Sequence, residues 1–453
     1  MSAISQNLTP SERIYAALLE RTGEAAPEPR LGPVRRLAEL AGSPQLQYPV
    51  IQVAGTNGKT STSRAIQTLL SAHGVRSGLF TSPHLIDFTE RFQIDGQPID
   101  AELLESIWDE LQLPLSVVDA ELEAKNEPKI TFFEALVVLG FAVFADAPVD
   151  VAVIEVGMGG EWDATNIVDA TVAVFTPIGL DHTEILGDTI AKIAKTKSGI
   201  IKQGATVVSA AQDDSALAEI AAAAVAHDAK LYVAGTDFSI GEDRLAVGGR
   251  QVDFVGITGH AYEPAFVPLF GHHQAANTSL AIAAVEAFFG AERPIPDEVL
   301  EEGLGHFTSP GRLQLISKEP VTYVDAAHNP HGAEALVRAV TESFSFSELA
   351  IVVGVLGEKD AAGLLRTLAP IAHRVYATAV DSPRSLEADR IAELAEDAIP
   401  ETPVLTVDAF EDAVADAHQW AAEEDGRAVL IVGSVVLAGQ ALALSHREDW
   451  GIA

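Results

Sequence analysis

The short apolar run Val50-Ile-Gln-Val-Ala54 leads directly into Gly55-Thr-Asn-Gly-Lys-Thr-Ser61. Beyond it, Ala65, Ile66, Leu69 and Leu70 recur at helical spacing between Ser63 and Gly74. Strand, glycine loop and helix in that order restrict the chain to a phosphate-binding α/β arrangement. Gly55 and Gly58 let the backbone turn its N–H groups towards an anion, and Lys59 adds a point charge. Thr60 and Ser61 open the helix, where the dipole favours phosphate and a hydroxyl is placed to bind phosphate or Mg²⁺. Only two residues separate the glycines, where the Walker pattern has four.

The same alternation continues. An apolar helix is predicted over Thr131 to Phe144 and a strand over Asp150 to Val156. Short strands are predicted at Thr171 to Phe175, Thr206 to Ser209 and Lys230 to Val233. Continuous apolar strands between helices indicate a mostly parallel sheet covered on both faces. The segment Gln251 to Phe270 reads as a small antiparallel appendage. Helix is expected over Pro10 to Leu40, broken at Pro27 to Pro33. After Thr308-Ser-Pro-Gly311, a plausible hinge, five further strands are expected, starting at Val321, Leu349, Val375, Val404 and Ala428. That is enough for a second, Rossmann-like domain. The expected division is 1–309 and 310–453, in keeping with a length too great for one core.

Composition narrows the function. A formal net charge of −36 disfavours nucleic acid and anionic lipid as partners. With no cysteine there is neither a disulfide nor a thiolate nucleophile. No secretory signal or membrane-length apolar run is visible, so a cytoplasmic, non-membrane protein is expected, acting as a monomer.

Other clusters sit at predicted strand ends. Glu155-Val-Gly-Met-Gly-Gly160 places a carboxylate where an open parallel sheet faces its ligand crevice, suited to Mg²⁺ or simply solvated. Gly179-Leu-Asp-His182 follows the next strand, and its histidine is either structural or part of that crevice. Asp325-Ala-Ala-His-Asn-Pro330 fits a ribose-binding strand end equally with a helix cap. Arg312 is either a phosphate clamp or a surface arginine.

In this order the motifs resemble the Mur ligase superfamily, and within it the folylpolyglutamate synthase/dihydrofolate synthase family. The match extends from Arg30-Leu-Gly32 to Val432-Gly-Ser-Val-Val-Leu-Ala-Gly439, through Thr81-Ser-Pro-His-Leu85, Thr89-Glu-Arg91, Thr131-Phe-Phe-Glu134, Gly271-His-His-Gln-Ala-Ala-Asn277 and Pro310-Gly-Arg312. The resemblance implies a central P-loop-containing domain and a smaller Rossmann-like C-terminal domain. It implies ATP held by Asn57, Gly58, Lys59, Thr60, Asn277, Arg312 and Asp325. Two Mg²⁺ ions are implied at Ser61, Ser82, Glu155, His182 and a carbamylated Lys197, with Thr60 the alternative to Ser61 as metal hydroxyl. Lys59, Glu155, His182 and Lys197 take the catalytic roles. The pterin is implied beside Arg30, Leu31, Gly32, Thr131, Phe132, Phe133, Glu134, Trp162, Asp163 and Ala164. Against the family pattern, Thr60 replaces Gly, and Glu161 and Thr196 replace Arg and Glu.

The implied reaction joins L-glutamate to dihydropteroate or to the glutamate tail of a reduced folate such as tetrahydrofolate, through an acyl phosphate. A carboxylate is a poor electrophile until ATP activates it, and this chemistry needs no protein nucleophile. A single-activity folylpolyglutamate synthase, a peptidoglycan-precursor ligase and an ATP-driven switch are the rival readings.

Overall fold

The computed structural model describes residues 8–23 and 28–450. The break expected at Pro27 falls partly outside them. Pro33 lies in the first turn of a helix, where its missing N–H costs nothing. The first two helices are α1 (Pro10–Leu19) and α2 (Gly32–Leu40).

The chain forms two units. The first runs to Arg244 and includes Gln251–Val267 and Ala275–Thr308; the second comprises Leu245–Arg250, Pro268–Gln274 and residues from Ser309 onwards. The boundary at Ser309 is next to the expected cut. A single cut along the chain cannot register the two short excursions into the second unit.

In the first unit, β1 (Val50–Ala54) is buried along its whole length and lies inside an eight-stranded sheet. Its other strands are β2 (Ser77–Phe80), β3 (Phe92–Ile94), β4 (Gln97–Pro98), β5 (Val151–Glu155), β6 (Val172–Phe175), β7 (Thr206–Ser209) and β8 (Lys230–Val233). The order is β4-β3-β2-β5-β1-β6-β7-β8. β1 pairs in parallel with β5, where Val53 faces Glu155, and with β6, where Ala54 faces Phe175. The carboxyl ends of these central strands therefore lie side by side. The two edge pairings, β2 with β3 and β3 with β4, are antiparallel, so β3 alone among these strands runs against the others.

Helix α3 (Lys59–Ala72) leaves β1 through the glycine loop. Helix α4 (Ala101–Glu123) buries Leu104, Leu111, Leu115, Val118 and Leu122, and helix α5 (Phe132–Asp146) is buried on nearly every side. Such all-round apolarity belongs to a core helix. Yet among the described residues no helix is long and apolar enough to cross a membrane. Helices α6 (Thr183–Leu186) and α7 (Ile190–Ser198) follow β6. The appendage expected over Gln251 to Phe270 is a three-stranded sheet that starts earlier, with strands Ser239–Ala246, Gly249–Val255 and Ala265–Val267.

The described residues from Ser309 onwards form a six-stranded sheet, the five expected strands and an edge strand, Gln314–Lys318, antiparallel to Val321–Asp325. The other pairings are parallel.

Candidate active site

The glycine loop is fixed by close packing. Gly55 has φ +151°, and a Cβ there would sit 1.8 Å from Thr176 Oγ1. Gly58 has φ +85°, and a Cβ there would lie 2.6 Å from Asn277 Oδ1. Asn277 thus lies against the loop, as expected of a nucleotide-site residue. The Thr56 hydroxyl donates to Gly179 O and accepts from Gly179 N, both at 3.0 Å. The Thr56 N–H donates to Pro177 O at 3.0 Å. The loop is therefore tied to the segment that carries Asp181 and His182.

Glu155 ends β5 and is 2% exposed. The Thr60 hydroxyl reaches both of its carboxylate oxygens, at 2.9 and 3.0 Å. Ser61 is buried one residue further along α3. Lys197, on α7, is 4% exposed and donates from Nζ to Gly55 O at 2.7 Å. Burial, reinforced by the nearby Lys59 charge, lowers its amine to about 7, and Asp181 and Asp163 pull the other way. His182 takes φ +50° ahead of α6, and its N–H donates to Asp181 Oδ1 at 2.9 Å. Ser82 sits in the loop after β2, partly exposed.

These groups supply hard oxygen donors around one strand end: the Glu155 carboxylate and the Thr60 and Ser61 hydroxyls. Among the described residues no cluster of three or more His, Asp and Glu side chains gathers. One carboxylate, hydroxyls and a nucleotide's own phosphates are a donor set that fits Mg²⁺.

The residues assigned to the pterin form a second patch, and most of their polar atoms hold the backbone. Arg30 forks onto Glu134 with two bonds of 2.9 Å and also donates to the carbonyls of Pro128 and Lys129. Thr131 and Glu134 are the capping box of α5. Asp163 accepts from the N–H groups of Met158 and Thr165 and from the Thr165 hydroxyl; its burial raises its pKa. Phe132 is in the core. Phe133 Cζ lies where a Cβ on Gly157 would be, 2.5 Å away. Trp162 packs beside Gly159, and Ala164 is buried. Leu31 and Gly32 begin α2. The patch is a frame more than a set of free donors.

The Mur ligase middle domain matches residues 100–285, and the Mur ligase glutamate ligase domain matches residues 311–435. The dihydrofolate synthase/folylpolyglutamate synthase of Mycobacterium tuberculosis is 40% identical over 95% of this chain and 92% of its own. This chain belongs to the folylpolyglutamate synthase/dihydrofolate synthase family. The crystal structure of Mycobacterium tuberculosis folylpolyglutamate synthase with ADP and AMPPCP superposes with a TM-score of 0.91, 38% identity, and coverage of 98% of this chain and 99% of that one. Escherichia coli FolC with DHPP and ADP superposes with a TM-score of 0.84, 27% identity, and coverage of 98% and 99%.

The departures from the family pattern now have places. Thr60, in place of Gly, puts its hydroxyl on Glu155. Glu161 and Thr196 meet through the backbone, Glu161 N–H to Thr196 O at 2.8 Å, so their contact does not depend on the side chains expected there. In the second unit Asp325 accepts from Leu313 N and Ala327 N, both at 2.8 Å. Asn329 caps the helix Pro330–Ser343. Arg312 Nη1 donates to Gly311 O.

The Ser-Pro-His-Leu and Thr-Glu-Arg segments carry part of the family resemblance, but nothing in the sequence gives His84 or Arg91 a role. Arg91 is 1% exposed and donates from Nε to His84 Nδ1 at 2.8 Å. Burial and that guanidinium push the His84 imidazole down to about 3. The available signal was an arginine within an aromatic run, flanked by Phe88 and Phe92.

Proposed function

We propose that this chain is an ATP-dependent amide ligase that adds L-glutamate to dihydropteroate and to the glutamate tail of reduced folates. The observation that carries the reading is the tightly packed glycine loop, with the Thr60 hydroxyl on Glu155 and Lys197 bonded to Gly55 O.

Lys59 and the loop N–H groups hold the phosphates of ATP, and Asn277 fixes the loop's shape. Arg312 and Asp325 take the remaining nucleotide-binding roles. Mg²⁺ ions held by Glu155, His182, Ser82 and the Thr60 or Ser61 hydroxyl supply charge neutralisation when bound. The substrate carboxylate takes the γ-phosphoryl group, giving an acyl phosphate and ADP. The glutamate amine then attacks the acyl carbon, phosphate leaves, and the amine loses its proton. Lys197 acts as a carbamate: its neutral amine adds CO₂ and releases a proton, turning a buried uncharged amine into an anion beside the proposed metal site. The Arg30–Glu134 and Asp163 frame shapes the pteroyl side.

The test is ADP release with dihydropteroate and with tetrahydrofolate, offered separately, each with and without L-glutamate. Mass spectrometry of the products identifies which acceptor gains a glutamate. Glutamate-independent turnover stimulated by a protein partner would overturn the reading.

A further inference from the structure

His84 is two residues from Ser82 in the loop after β2. Its ring packs edge-on against Tyr15, with centroids 5.1 Å apart, and against Phe88 at 6.0 Å. Tyr15 in turn packs on Phe132, at the start of α5, where the pteroyl frame begins. The ring is therefore linked through Tyr15 to the start of α5, where the residues proposed for the pteroyl side lie.

Arg91 determines its chemistry. A guanidinium has donors only, so the atom that receives Arg91 Nε–H must carry a lone pair. That atom is His84 Nδ1. The ring proton must then reside on Nε2. Glu90 steadies the loop from the other side, its carboxylate accepting from the N–H groups of Leu85, Ile86 and Asp87. Among the described residues no group accepts from His84 Nε2. The fold thus keeps an uncharged N–H donor in one orientation and gives it no protein acceptor.

We infer that His84 Nε2–H is a substrate-reading donor, bonded to a carboxylate or carbonyl oxygen of the pteroyl acceptor. A neutral donor suits a site that takes both a free aryl carboxylate and an aryl amide, since a cation in its place would favour the charged one. This inference rests on the folate ligase reading above.

His84→Asn tests it. The asparagine amide oxygen falls near the position of Nδ1 and keeps an acceptor for Arg91, while the Nε2 donor is lost. The KM for dihydropteroate, for tetrahydrofolate, or for both is expected to rise about tenfold, the effect of one lost hydrogen bond. KM for ATP and the melting temperature should stay at wild-type values. A purely structural histidine would leave both acceptor KM values unchanged, and that result overturns the inference. Nitrogen-15 NMR of wild-type protein gives an independent readout if the variant folds poorly. It should show His84 as the Nε2–H tautomer, with that signal shifting when either acceptor saturates the site. An Nδ1–H tautomer, or no shift at saturation, also overturns the inference. Failure of wild-type protein to ligate glutamate would instead count against the functional reading, because tautomer and substrate binding are measured without turnover.

Discussion

An amine that titrates at about 7 is largely free base in mildly alkaline solution, and the free base is the form that adds CO₂. Lys197→Ala should abolish turnover, with short carboxylates restoring part of it; full activity in that variant would reject the carbamate role. Carbon-13 bicarbonate followed by trapping and mass analysis should find the adduct on Lys197. The same burial has a thermodynamic signature. The unfolded amine keeps its proton to 10.5, whereas the folded one loses it at about 7. Between these values the unfolded chain binds the extra proton, so stability rises with pH across the window. In CO₂-free buffer Lys197→Met should be more stable than wild type below pH 7, by on the order of a few kcal/mol, with the advantage fading towards the upper end. Urea titrations across that range check it, and a pH-independent difference would contradict it.

At the scale of elements, the glycine loop and the cap of α5 are the sharpest tests. Gly55→Ala forces a Cβ into the Thr176 side chain at a backbone angle that L-residues rarely adopt. A cost of about 1–3 kcal/mol is expected, together with a fall in ATP affinity measured by calorimetry. Thr131→Ala should lower stability by about 1 kcal/mol through loss of the capping bond to Glu134 N, measured by denaturant unfolding. Much of this architecture was legible in the sequence because its signals are local: Val50 to Ser61 carries strand, loop and helix start in one stretch. β2 was not legible. Ser77-Gly-Leu-Phe80 is short, and Gly78 gives it no strand propensity; it is glycine because Phe144 fills the space, 2.6 Å from where a Cβ would be. Helix α4 was hidden by Pro114, although its buried leucines keep helical spacing around that residue. The tie between Arg91 and His84 is set by how the loop refolds on itself, which motif order does not encode. Asp163 and Glu134 are expected beside the pterin from the motif order; in the structure Asp163 accepts from the N–H groups of Met158 and Thr165, and Glu134 from the Thr131 N–H and the Arg30 guanidinium.

For the whole molecule, 65 acidic against 29 basic residues leave a net charge of −36, which acts against compactness at low ionic strength. Moderate salt should raise the melting temperature by screening this repulsion, and a fall in low-salt scanning calorimetry would contradict that. The sheet order has a further consequence. β1 leaves the ribosome early but sits between β5 and β6, which are made only after all of α4 and α5. Until then an apolar strand has both edges bare, the condition that invites pairing with other chains. The nascent polypeptide must be shielded through that interval. The phosphate site is thus assembled late in synthesis, and chains interrupted before Phe175 should enter the aggregate rather than the soluble pool.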